Sequence, residues 1–431
     1  MSTKSPDLLY DVHETPPFLK GFLLSFQHVF AMFGATILVP IIVGMPISVA
    51  LFASGIGTII YLILTGFKVP VYLGSSFAYI TAMVTARESM GGDVSAAQTG
   101  IILVGLIYVI VASVLKVTGT KWLDKLLPPI VIGPMIIVIG LGLSSVAVQQ
   151  AGFVQGGEWK NMLVAIVTFL ITALVSTKGK GIFKIIPFLI GIIGGYIVAT
   201  LLGIVDFTPV KESIKGNFFG DIIRLPQFYL PFSTNGLFAE YRFYFGPEAL
   251  AILPIAIVTI SEHVGDHTVL GKICGRNFLQ NPGLTRTLMG DAIATSVSAF
   301  IGGPANTTYG ENTGVVSMTR VASTKVILGA ALIAIFLSFV SPVQALISTI
   351  PDPVLGGMSL LLYGVIASNG LSVLVDNQVD FSKQRNLIIA SAMTVIGIGG
   401  AVFPITKLAS FSGSALAALV GISLNLILPK E

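Results

Sequence analysis

Apolar runs long enough to cross about 30 Å of hydrocarbon recur from one end of the chain to the other. They cover 22–43, 49–64, 99–115, 130–148, 162–175, 182–202, 249–260, 326–340, 353–366, 387–402 and 414–428. Less hydrophobic stretches lie between them at 75–86, 284–301 and 311–320. The pattern predicts fourteen segments, three of them irregular, and hence an all-α polytopic membrane protein.

Two interruptions stand out. VYLGSSFAYI at 71–80 and GPANTTYGEN at 303–312 each put small, polar or β-branched residues ahead of a helical pattern. This predicts short extended strands interrupting segments 3 and 10. From Glu311 onward the sequence reads as helix, which places Glu311 in the first turn of a broken membrane helix. A carboxylate at membrane depth costs several kcal/mol and marks a functional position by default. Interrupted helices of this kind form binding sites in transporters.

The two halves overlay. Pro128, Gly133 and Met135 match Pro351, Gly356 and Met358 at a constant offset of 223 residues, each set opening an apolar helix. Seven segments per half, an odd number, inverts the second half relative to the first. The expected organisation is a first seven-segment repeat at 1–203, an external linker at 204–246 and a second inverted repeat at 247–431. Inverted repeats place substrate near the midplane, where the two interrupted helices meet.

Composition sharpens the class. Hydrophobic residues make up 54% of the chain and charged ones 10%, which excludes an ordinary soluble enzyme. With the amino terminus inside and all segments crossing, 17 of the 24 Lys and Arg fall inside and 7 outside. Four of those seven lie in 204–246, a long segment on which the positive-inside rule is weak. Both termini are therefore expected in the cytoplasm. The basic residues are scattered over short loops without a stripe, so the net charge of +4 gives nucleic-acid binding no support. Residues 1–17 hold acids and prolines but no apolar core of a signal peptide. Cys274, the sole cysteine, allows no intrachain disulfide and reads as a small buried or inward-facing residue.

A second acidic cluster lies on AILPIAIVTISEHVGDHTVL. Glu262 and Asp266 are four apart and share a helix face, while His263 and His267 form another such pair rotated by about 100°. Two nearby carboxylates in a low-dielectric site cannot both stay ionised cheaply, so at least one is a candidate proton carrier. A second reading stays open for Asp266, His263 and His267, which lie toward the inner end of the segment: residence in the headgroup zone. Ligand type also permits a metal site, although no further Cys or His pattern supports one. The amides opening the helix at Glu311 would satisfy carbonyl oxygens, and the carboxylates would accept N–H groups. Phe77, in the matching interruption, is placed either to stack on a flat ring or to pack between helices. A planar heterocycle uses this inventory better than a sugar or a bare metal ion.

Glu311-Asn312-x-Gly314-x-x-x-x-Thr319-Arg320 resembles the signature of the nucleobase–ascorbate transporter family. From residue 18 almost to its end the chain is similar to that family's bacterial uracil permeases. The likeness is carried by Gln27-His28, AMFGATILVP at 31–40 (which contains Ala35), YLGSSFAYI at 72–80, SEHVGDH at 261–267, NTTYGEN at 306–312 and GGMSLLLYGVIAS at 356–368. The resemblance implies a proton-driven uracil symporter of the cytoplasmic membrane, usually a homodimer, with the proton as coupling ion and no other cofactor. It implies a core domain of segments 1–4 and 8–11 and a gate domain of segments 5–7 and 12–14. Carried over by position, Glu262 and Glu311 hold the ring, Phe77 packs on it, and Tyr309 with Gly310 supplies backbone contacts. Tyr363 lines the gate side, with Asn312, His28 and Ala35 in support. Glu262, Asp266 and His263 are the expected proton-coupling groups. Uracil-type members carry Glu at position 311, where purine-type relatives tend to carry Gln. Asp266 departs from the pattern, since uracil permeases carry His there; it is expected to act as the proton site or as a hydrogen-bond partner of Glu262. A purine or xanthine permease of the same family stays open as an alternative. An anion transporter of the same plan is disfavoured by two acids in the site, and an intramembrane enzyme by the lack of a nucleophile–base or metal constellation.

Overall fold

The computed structural model describes residues 8–429 apart from positions 120, 182, 184–185, 216–221 and 405–409. Of the basic positions assigned to the two sides above, Lys4, Lys184, Lys407 and Lys430 lie outside the described residues, as does part of the 204–246 linker.

The chain is mostly helical. Its first principal helices are α1 (Phe18–Val43), α2 (Ile47–Leu64), α3 (Ile80–Ser89) and α4 (Ser95–Thr118). Then come α5 (Pro129–Gly142), α6 (Trp159–Lys178), α7 (Pro187–Leu201) and α8 (Ile255–Cys274). After these follow α9 (Leu284–Phe300), α10 (Gly310–Thr319), α11 (Thr324–Ser338), α12 (Asp352–Asp376), α13 (Gln384–Ile398) and α14 (Gly413–Ile427). Strand β1 (Leu73–Ser75) precedes α3, separated from it by a 3₁₀ turn at Phe77–Tyr79, and β2 (Asn306–Thr308) precedes α10. Among the described residues, seven stretches of helix are long and apolar enough to cross a membrane by length and composition. The chain is a multi-pass membrane protein.

Segment boundaries follow the apolar pattern closely, with instructive exceptions. The run ending at 260 continues as helix through the polar residues 261–267 to Cys274, with Ser261, His263, Asp266 and His267 hydrogen-bonded inside the protein. Its amino-terminal end is broken: residues Pro247–Leu250 form a separate short helix, and α8 starts only after Pro254. The run at 130–148 divides into α5 and a short helix at Ser144–Gln150. The run at 387–402 loses its helix after Ile398, where Gly399 and Gly400 follow.

The helices sort into two packed groups. In one, α9 lies along α4 and α2, and α11 lies between α2 and α1. In the other, α12 packs on α5 and α6, α7 on α6, and α13 and α14 on each other and on α5. Lipid offers no hydrophobic drive for pairing two apolar helices, so close approach through small residues does the work. A Cβ placed on Gly105 of α4 would fall 2.7 Å from the Ala292 carbonyl of α9, and one on Gly140 of α5 would fall 2.5 Å from the Tyr363 carbonyl of α12. The linker is stitched over the first group: the N–H groups of Arg242 and Tyr244 donate to Ser95 Oγ at 3.2 Å and Thr99 Oγ1 at 2.9 Å.

The two strands meet as an antiparallel pair with Leu73 opposite Thr308, Gly74 opposite Thr307 and Ser75 opposite Asn306. Backbone groups at membrane depth must be satisfied internally. Hydroxyl and amide side chains complete what the ladder leaves. Thr58 Oγ1 accepts from the Leu73 N–H at 2.9 Å, Asn306 Nδ2 donates to the Ala53 carbonyl at 3.1 Å, and Thr295 Oγ1 donates to the Asn306 carbonyl at 3.0 Å. This accounts for Thr58, Thr295 and Asn306 in otherwise apolar surroundings.

The α4–α9 contact gives a direct check on the packing argument. Gly105→Val is expected to destabilise the protein by about 1–3 kcal/mol through overpacking. The measurement is thermal unfolding in detergent, where an unchanged midpoint would refute close helix approach at this position.

Candidate functional site

Three elements bring the candidate residues together: α8, the crossing of β1 and β2, and the first turn of α10. Glu262 and Asp266 occupy one face of α8 and are partly exposed, whereas His263 and His267 on the neighbouring face are fully buried. The two-face arrangement expected from the spacing is present. Both histidines are enclosed by protein and hydrogen-bonded there.

The engagement is specific. His263 Nδ1 lies 3.0 Å from Asp291 Oδ2 of α9, with both side chains inaccessible to solvent. His267 Nδ1 lies 2.6 Å from the His263 carbonyl. A carbonyl only accepts, so Nδ1 carries the proton, and Nε2 of His267 accepts from the Tyr61 hydroxyl of α2. The two imidazole rings stack with centroids 4.0 Å apart. His267 is thereby held as a neutral structural group, whereas His263 belongs to a buried acid–base pair. Thr259, one turn earlier on α8, is bonded by the hydroxyls of Tyr79 and Tyr108.

Asp266 is bonded by the Thr308 hydroxyl of β2. The alternative expectation, a hydrogen bond between Asp266 and Glu262, is not found among the described residues. Carboxylates on one helix face repel, and a hydroxyl from the crossing strand is the better partner. Glu262 lies within electrostatic reach of Asp266, Asp291 and Glu311, so four acids from three helices share one region.

Glu311 sits in the first turn of α10, as its sequence context predicts, and is partly exposed. The preceding Tyr309 is spent on structure. Its N–H donates to the Tyr72 carbonyl at 3.1 Å, and its own carbonyl accepts from the Thr313 N–H at 3.2 Å. The amides that open this helix begin at Gly310 and lack partners in a preceding turn, although the Glu311 N–H is directed at its own carboxylate. The Tyr309 ring lies across β1, donating to the Ser75 carbonyl at 3.0 Å and bonded by Thr36 Oγ1 at 3.2 Å. Only glycine fits beneath it, since a Cβ on Gly74 would lie 2.5 Å from ring atom Cε2.

Asn312 and His28 form a buried clasp between α10 and α1: Asn312 Nδ2 donates to the His28 carbonyl and to His28 Nδ1, each at 3.1 Å. Ala35, two turns further along α1, is buried with Tyr72 and Tyr309. Phe77, in the 3₁₀ turn after β1, is partly exposed and meets the buried Tyr363 of α12 edge-on with ring centroids 6.3 Å apart. Cys274 is buried, as expected.

Asp291, Thr308 and Tyr61 are neighbours of the site absent from the sequence expectations. Asp291 carried a usable signal, because it is the one acid in LTRTLMGDAIATSVSAF and falls under the same argument as Glu311. Thr308 and Tyr61 carried none.

The family model described as Permease family matches residues 19–406, nearly the whole chain. This chain belongs to that family, the nucleobase–ascorbate transporters. The permease is 47% identical over 421 residues to the uracil permease of Bacillus caldolyticus, covering 97% of this chain and 94% of that protein. It is 43% identical over 420 residues to the uracil permease of Escherichia coli K12, covering 96% and 93%. Among solved structures it resembles the transmembrane domain of the cyanobacterial bicarbonate transporter BicA, with a TM-score of 0.60 at 16% identity, covering 96% of this chain and 99% of that one. It also resembles the murine Slc26a9 anion transporter in the inward-facing state, with a TM-score of 0.71 at 12% identity, covering 96% and 68%. These last two likenesses concern the fold alone. The permease is a membrane transporter and not an enzyme.

A buried hydrogen-bonding group left without its partner costs about 1–3 kcal/mol, while replacing both partners by apolar residues is often nearly neutral. His263→Ala is therefore expected to lower the thermal midpoint sharply, and His263→Leu combined with Asp291→Leu is expected to recover most of it. Equal, additive losses in the double variant would show that the pair is not an energetic unit.

Proposed function

We propose that this permease is a uracil:proton symporter of the cytoplasmic membrane, importing uracil by alternating access. The observation that carries the reading is the placement of Glu311, at the free amino end of α10, in the same acidic region as Glu262 and Asp266 on α8. Two carboxylates accept the ring N–H groups, and the amides from Gly310 onward meet a ring carbonyl. Phe77 covers one face of the ring, and Tyr363 closes the gate side. The names of the uracil permeases it resembles support the same cargo.

The architecture is read as two inverted seven-segment repeats, 1–203 and 247–431, joined by an external linker at 204–246. The antiparallel meeting of β1 and β2 supports this, as does the pairing of α5 with α12, the helices opened by the repeated Pro, Gly and Met. The helix group containing α1–α4 and α8–α11 is the core domain, and α5–α7 with α12–α14 form the gate. Asn312, His28 and Ala35 support the substrate half of the core. Both termini lie in the cytoplasm, and the working unit is a homodimer. The two acidic residues of the site, Glu262 and Glu311, disfavour an anion as cargo.

Asp266 and Glu262, with His263 behind them, hold the coupling proton in this reading, and no other cofactor takes part. Entry of one proton releases about 2.3 kcal/mol per 100 mV. At about 1.4 kcal/mol per factor of ten, that supports uracil accumulation of a little under two decades before any pH gradient is counted.

The test is uptake of labelled uracil into proteoliposomes under an imposed pH gradient, with a panel of competing bases. Uracil should compete strongly and xanthine weakly; the reverse order would make this a purine-type permease. Glu311→Gln is expected to lose uracil affinity by about tenfold or more, as befits a charged hydrogen bond. Asp266→Asn is expected to retain uracil exchange while losing pH-driven accumulation, and undiminished accumulation would remove Asp266 from the coupling mechanism.

A further inference from the structure

Asp266 is the one acidic side chain on α8 that is bonded directly to the strand leading into α10, and the bond comes from the Thr308 hydroxyl. Thr308 is buried, occupies the last position of β2 and stands opposite Leu73 in the ladder. Gly310 and Glu311 follow two and three residues later, where α10 begins. The contact therefore joins the two halves of the site: the helix carrying Glu262 and the broken segment carrying Glu311. A hydroxyl bonds an ionised carboxylate about twice as strongly as it bonds a neutral acid. When a proton from water adds to an Asp266 carboxylate oxygen, the Thr308 hydroxyl keeps its own hydrogen but loses that charge-assisted grip.

We propose that Thr308 is a positioning residue for proton coupling, gripping ionised Asp266 and loosening the tie between α8 and β2 when Asp266 is protonated. The proposal rests on the reading of Asp266 as a proton site, and gives that site a mechanical consequence: loading the proton frees the strand and the start of α10 to adjust around the base. Other groups share the field at Asp266. Glu262 faces it from the same helix, Glu311 from α10 and Asp291 from α9. Tyr79 and Tyr108 meet α8 farther along, at Thr259, while α5 and α14, which also pack against α8, bring no titratable side chain. Thr308 is the one hydroxyl bonded to the Asp266 carboxylate among the described residues.

Valine has the shape of threonine without the hydroxyl, so Thr308→Val tests the bond with little change in packing, and Thr308→Ser restores the donor. Initial rates of uracil uptake and of uracil exchange are measured in proteoliposomes across external pH, with each variant made in the parent and in Asp266→Asn. Thr308→Val is expected to lower pH-driven uptake about tenfold and to displace its pH profile by at least half a unit, with Thr308→Ser close to the parent in both. In Asp266→Asn, adding Thr308→Val should leave exchange unchanged within about twofold, because its partner's charge is already gone. A pH profile for Thr308→Val that superimposes on the parent overturns the proposal, as does an equal loss in both backgrounds, which would mark Thr308 as merely structural. Should Asp266→Asn still accumulate uracil, the proton role of Asp266 fails by itself. The non-additivity of the two substitutions in exchange then decides separately whether Thr308 acts through Asp266.

Discussion

The structure depends on a peptide crossing buried among its helices. Two strands of three residues meet in the protein interior, where each unsatisfied N–H or C=O costs about 1–3 kcal/mol. The ladder between β1 and β2 answers part of that demand. Thr58, Asn306 and Thr295 answer more of it from α2, β2 and α9. Because the crossing is closed this way, α3 and α10 can start in mid-protein and present their first turns to a shared space. Glu311 has a place to stand only because the strand before it is satisfied.

Around that crossing the acids are handled differently according to their neighbours. Asp291 is enclosed and bonded to His263. Asp266 is bonded by a hydroxyl from the strand, and Glu262 and Glu311 keep partial exposure. His267 is fixed as a neutral ring by the His263 carbonyl and Tyr61. Of the two histidines on α8, only His263 is thus paired with an acid. Burial encloses the His263–Asp291 pair, while Glu262, Asp266 and Glu311 keep partial exposure close to the start of α10.

Much of this was legible in the chain. Apolar length marked the helices, and the small and β-branched residues before Phe77 and Glu311 marked the strands. The spacing of Glu262, His263, Asp266 and His267 gave the two faces of α8 correctly, because helix geometry fixes which residues align regardless of context. Tertiary partners were not legible. Nothing local says that Tyr61 reaches His267 across 206 residues of sequence, or that Thr308 bonds Asp266 rather than solvent. The apolar run stopping at 260 understated α8, because polarity ends a hydropathy run but not a helix whose polar side chains are satisfied. Tyr309 shows the converse: position suggested backbone contacts with a ligand, while strand pairing had already taken its N–H.

The central claim is that base and proton share one acidic site and move together. The most direct measurement is uracil-dependent proton entry into proteoliposomes carrying a trapped pH-sensitive dye, with the membrane potential clamped. The account predicts internal acidification that begins on adding uracil outside and is absent without it. Uracil uptake with no accompanying acidification would contradict it.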